Sequence, residues 1–126
     1  MFMNIYNNQY MNPCLQAPSG FMDVINKGAY VATFAIAYYL NDNFFAFDSP
    51  KLLYNKSYRI SIPEEATKIL FLARFYLTPT QTRIICRKQY SNSFRKYMEL
   101  GGTIANPTCT EIGLTKICIS YCFFQQ

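Results

Sequence analysis

The chain has 126 residues, 51% of them hydrophobic and only 15% charged; the length suits one domain, and the composition excludes an intrinsically disordered chain. It carries a formal charge of +5 and no histidine, so the Ser-His-Asp and Cys-His arrangements of hydrolases cannot be assembled within it. It contains no run of about 18 apolar residues, which excludes a bilayer-spanning helix.

In chain order, residues 1–20 read as an arm rich in Asn, Tyr and Met, punctuated by Pro18 and Gly20, and residues 21–126 as a single domain. The arm has no basic stretch followed by a continuous apolar run, so it does not read as a secretory signal. The first predicted strand runs from about Ala29 to Tyr39 within "GAYVATFAIAYY". Its side chains alternate: Tyr30, Ala32, Phe34, Ile36 and Tyr38 fall on one face, and Ala29, Val31, Thr33, Ala35 and Ala37 on the other. The bulky face is expected to fill a core, and the small face to be approached closely by another layer or another subunit; cover by the arm or by another copy would favour assembly, and an open face a binding module.

"LNDN" is a turn, "FFAFDSP" a short strand ended by Pro50, and "SYRISIP" a half-buried strand alternating Tyr58, Ile60 and Ile62 with Ser57, Arg59 and Ser61. After the turn "EEAT", "KILFLARFYL" is apolar on both faces and therefore central in its sheet. "TPTQ" breaks it, "RIICRKQY" is the next strand, and "FRKYMEL" reads as one helical turn. "GGTIANP" is a tight connection, and "EIGLTKICISYCFF" is a last strand or pair of strands bending at Gly113. Seven or eight short strands without a sustained helical period predict an all-β, antiparallel two-sheet β-sandwich with an extended N-terminal arm.

The five cysteines, Cys14, Cys86, Cys109, Cys118 and Cys122, are candidates for a disulfide or an inter-subunit bond, and their odd number leaves at least one thiol over. Without a histidine or a CxxC pair no zinc site is expected. Glu64 and Glu65 are the only adjacent carboxylates and fall in a turn, and no phosphate-cradling or nucleophile-elbow motif is present. Neither catalysis nor a cofactor is expected; the protein binds or builds. Arg83, Arg87, Lys88, Arg95 and Lys96 crowd between positions 83 and 96 and would suit an anionic membrane surface, while the lack of a reading motif argues against nucleic acid.

Three segments, taken in order, resemble the C-terminal membrane-recognition domain of the cholesterol-dependent (thiol-activated) cytolysins. "GAYVATF" resembles its opening strand, "IPEEATKILFLAR" its middle, with Pro63, Ala66, Ile69, Ala73 and Arg74 at the matching spacing, and "GGTIANP" its late turn. The resemblance implies a β-sandwich of two four-stranded sheets. It further implies that Phe75, Tyr76, Leu77 and Arg83 stand where the family has its Trp-rich membrane loop. The family's sterol-recognising Thr-Leu pair falls on Thr103 and Ile104. This chain has no Trp at all, and the loop piece "FYLTPTQTR" lacks the family's Cys while keeping the closing Arg83.

Two functional expectations follow. One is a membrane- or receptor-binding module of toxin-like ancestry, using Phe75 to Leu77 and Thr103 to Ile104, helped by the basic residues Arg87, Lys88, Arg95 and Lys96. The other is a self-assembling subunit, a homo-oligomer, filament or protein crystal joined through the arm and cysteines, with a spore-associated, parasporal or extracellular location.

Overall fold

The computed structural model describes residues 20–113, which form eight strands and, among those residues, no helix. The arm up to residue 19, the strand expected beyond Gly113, and Cys14, Cys118 and Cys122 lie outside the described residues. The strands are β1 (Gly20–Asn26), β2 (Ala32–Leu40), β3 (Asn43–Asp48), β4 (Ser57–Ile62), β5 (Thr67–Thr78), β6 (Gln81–Asn92), β7 (Arg95–Thr103) and β8 (Asn106–Ile112). They make two four-stranded sheets, ordered β4-β1-β7-β8 and β3-β2-β5-β6, the sandwich expected from the alternation of the sequence. Neighbours pair antiparallel except β1 and β7, which run parallel from Phe21 beside Arg95 to Asn26 beside Leu100.

The core lies between the sheets. Met22, Val24, Ile60, Ile62, Met98 and Leu100 come from one sheet and Phe34, Ile36, Ile69, Phe71 and Ala73 from the other, all essentially buried. The Phe34 and Phe71 rings sit 5.9 Å apart between centroids. The bulky face of β2 thus fills the core as its alternation requires. The small face points outward: Thr33, Ala35 and Ala37 are half-buried beside Arg74, Leu72 and Leu70 of β5. What approaches it in the described part is the longer side chains of its own sheet.

The turns explain the punctuation. Asn41 and Asp42 both take positive φ, 52° and 67°, joining β2 to β3 by a two-residue hairpin of the mirror-image kind that matches strand twist. Lys68 also has positive φ, 53°, beside the register slip between β2 and β5 at Ala37 to Tyr39. At one side of the sandwich a disulfide joins Cys86 of β6 to Cys109 of β8, with 6.3 Å between the Cα atoms. The opposite side, between edge strands β3 and β4, stays open as a groove of about 530 Å³ lined by Tyr38, Phe47, Tyr58 and Ile60.

Two readings of the sequence are corrected. "FRKYMEL" is not a helical turn but most of β7, held between β1 and β8 by ladders on both sides. The first strand is β1, within "GFMDVIN", ahead of the first strand that the sequence alternation predicts; β2 begins only at Ala32, and Gly28 to Tyr30 belong to the loop before it.

Candidate functional site

Because connections alternate between the two ends of a sandwich, the odd-numbered strands all run toward one end. There the loops 27–31, 49–56, 78–81 and 103–106 gather. Gly20 and Ile112 lie at the other end.

The gathered loops are stitched together by Asn26, fully buried at the end of β1. Its Nδ2 donates to the carbonyls of Tyr30 at 2.7 Å and Leu52 at 2.8 Å, while its Oδ1 accepts from the Gly28 N–H at 2.9 Å. The Asn26 main chain adds a bond from its N–H to the Lys56 carbonyl and accepts one from the Asn55 N–H. A single side-chain amide thereby satisfies buried backbone groups in two loops. Tyr30 extends the stitching: its hydroxyl donates to the Gly101 carbonyl at 2.6 Å, and burial raises its pKa. The Ala29 N–H reaches the Gly102 carbonyl, and the Tyr76 N–H that of Val31. Gly102 must be glycine, since its φ is +77° and a Cβ would strike the Asn106 carbonyl across the hairpin.

Outside this polar network the end is apolar. Leu53 is 57% exposed, Tyr54 65%, Leu77 39% and Ile104 50%. The two hairpin turns are held by threonines, Thr78 Oγ1 accepting from the Thr80 and Gln81 N–H groups and Thr103 Oγ1 from the Asn106 N–H. Lys51 places its ammonium 4.7 Å from the centre of the Tyr76 ring, and Lys27 Nζ donates to Asn55 Oδ1 at 2.6 Å.

The residues singled out in the sequence are divided by this geometry. Leu77, Thr103 and Ile104 are exposed at the loop end, and Arg83 is exposed on β6 just behind it. Tyr76 is half-buried. Phe75 is only 5% exposed: the alternation of β5 turns it inward, its ring 5.4 Å from that of Tyr30, so it supports the loops from the core. The basic cluster does not form a patch at this end. Arg87 and Lys88 are consecutive in mid-β6 and so point to opposite faces. Arg95 and Lys96 open β7 at the far end, where Arg95 faces Glu64 at 3.9 Å and Lys96 bonds Glu111 at 2.8 Å. Of the cysteines, Cys86 and Cys109 pair with each other. Sequence reading passed over Asn26, Lys27 and the whole 51–56 segment; "KLLYNK", three apolar residues and an asparagine between lysines, was the signal.

The fold is that of the membrane-recognition domain of cholesterol-dependent cytolysins. The membrane-binding domain of pneumolysin is similar over 75% of this chain and 96% of its own, at TM-score 0.58 and 15% identity. Listeriolysin O is similar over 75% of this chain at TM-score 0.56 and 18% identity, as is suilysin from Streptococcus suis, also at 0.56 and 18%. This chain covers 22% and 23% of those two toxins, about a quarter of each. No protein-family model matches the sequence, and no curated protein matches it.

Proposed function

We propose that the chain is a non-enzymatic membrane-binding module that meets a lipid surface with its loop end. The observation that carries this reading is the set of four exposed apolar side chains, Leu53, Tyr54, Leu77 and Ile104, on loops cross-braced by buried hydrogen bonds, at the end away from Gly20 and Ile112. Large apolar side chains held in water at one end of a stable domain are a docking surface. The likeness in fold to a domain described as membrane-binding supports the same reading. Each of these side chains gains about 1 kcal/mol on moving its exposed part into hydrocarbon, so four give roughly 4 kcal/mol, a millimolar, reversible attachment.

Vesicle flotation tests the proposal. The folded chain is expected to float with vesicles, and the pair Leu77→Asp and Ile104→Asp to cut partition at least about tenfold, since two apolar contacts become two desolvated charges. Phe44→Ser, an equally exposed aromatic at the far end, should leave it unchanged. A folded chain that floats with no vesicle, or a Phe44 variant that loses as much as the loop variant, overturns the reading.

A further inference from the structure

We propose that the loop end selects anionic phospholipid, with Lys27, Lys51 and Lys56 gripping the headgroups while Leu53 and Tyr54 enter the acyl boundary between them. This rests on the membrane-binding reading above and assigns the lipid class.

Four apolar side chains alone hold the domain weakly, and what surrounds them is charge of one sign. The loops 27–31, 49–56, 78–81 and 103–106 contain three lysines and not one aspartate or glutamate. Elsewhere among the described residues three cations meet carboxylates: Arg59 bonds Asp23 at 3.0 Å, and Arg95 and Lys96 face Glu64 and Glu111. At the loop end the lysines have neutral company. Lys27 donates to the Asn55 amide oxygen, which positions the ammonium without cancelling its charge, and Lys51 rests on the Tyr76 ring.

Spacing adds to the argument. Lys51 and Lys56 bracket Leu53 and Tyr54 in one loop, and Asn55, with a φ of 66°, turns the chain between Tyr54 and Lys56. Lys27 is bound to that same Asn55, so three lysines belong to or touch the loop that carries the two most exposed apolar residues of the end. Long lysine side chains keep their ammonium groups at the depth of phosphate while neighbouring apolar residues go deeper. The loop is held at this setting by Asn26 through the Leu52 carbonyl and the Asn55 N–H. The arrangement is therefore prepared for a surface that presents negative charge above hydrocarbon.

Each lysine close to an anionic leaflet is worth about a fivefold gain in partition, and three together about a hundredfold. The test is flotation of the whole chain with three vesicles: phosphatidylcholine alone, phosphatidylcholine with sterol, and phosphatidylcholine with phosphatidylserine, at low and high salt. Partition to the phosphatidylserine vesicles is expected to exceed that to phosphatidylcholine alone by about a hundredfold at low salt and to fall steeply at high salt. Lys51→Gln and Lys56→Gln should each cost about fivefold on these vesicles and nothing on neutral ones. Arg87→Gln, which removes the same charge from mid-sheet, should cost little. Equal partition to neutral and anionic vesicles, or an Arg87 variant as weak as the lysine variants, overturns the selectivity while leaving membrane binding standing. Failure to float with any vesicle overturns the membrane reading itself. Retention on heparin without flotation on any of the three vesicles overturns both in favour of a soluble polyanion.

Discussion

Asn26 shows how one residue sets a site it never exposes. Its three side-chain hydrogen bonds and two main-chain bonds tie the end of β1 to the loop carrying Tyr30 and to the loop carrying Leu53, Tyr54 and two lysines. Asn26→Ala would leave the Gly28 N–H and the Tyr30 and Leu52 carbonyls without their partner in the interior. The expected loss is about 2–4 kcal/mol of stability, from a cavity plus unsatisfied backbone groups. Urea unfolding measures it. Asn26→Asp is a sharper comparison, since it keeps the acceptor for Gly28 but faces two carbonyls with an oxygen in place of an N–H donor. It is expected to be at least as destabilising as alanine. An aspartate variant as stable as the native chain would show that the amide does not hold the loops. In sequence Asn26 looks like a turn residue near a glycine; only the fold puts two backbone carbonyls within reach of its amide.

At the scale of elements, what was legible followed from strict alternation. β2, β4 and β5 announce themselves because one face is apolar at every second position, and β5 reads as central because Leu70 and Leu72 continue the apolar pattern outward. β1 and β7 escaped for a shared reason. They lie side by side in parallel, and their outward faces carry Phe21 and Tyr97, stacked edge to face at 5.4 Å with Arg59 over Phe21 at 3.9 Å. Aromatic residues outside and Asn26 inside blur the period of two. The disulfide was likewise only one of many pairings the sequence permitted. It closes the side of the sandwich where β6 and β8 end the sheets, a side that the hydrogen-bond ladders do not join. With its cysteines 23 positions apart in the sequence, breaking it is expected to cost about 3 kcal/mol by restoring freedom to the unfolded chain. Reductant should lower the urea midpoint of the native chain and leave that of the Cys86→Ser, Cys109→Ser pair unmoved. A midpoint indifferent to reductant in the native chain would show that the two thiols do not form this bond.

For the whole molecule, the loop end is legible only in part because it is a property of direction. Its four loops are separated by some twenty residues each, and they meet because every odd-numbered strand runs the same way. Motif resemblance could find Leu77, Thr103 and Ile104, which carry a family pattern, but not Leu53 and Tyr54, which become neighbours of Lys27 only through the fold. The polarity of the molecule can be tested directly because the chain has no tryptophan, so one introduced indole reports alone. Leu53→Trp, Leu77→Trp and Ile104→Trp each place an amphipathic ring at the loop end, where an indole settles readily at a membrane interface. With vesicles, emission from all three is expected to shift to the blue and to gain protection from an aqueous quencher. Phe44→Trp, at the far end, should show neither change. A blue shift at residue 44 with none at residues 53, 77 and 104 would mean that the chain meets the lipid by its opposite end. A shift at residues 77 and 104 alone would mean that the two hairpins enter while the lysine-flanked loop stays in water. The pattern across four single-residue probes therefore reads the docking orientation residue by residue.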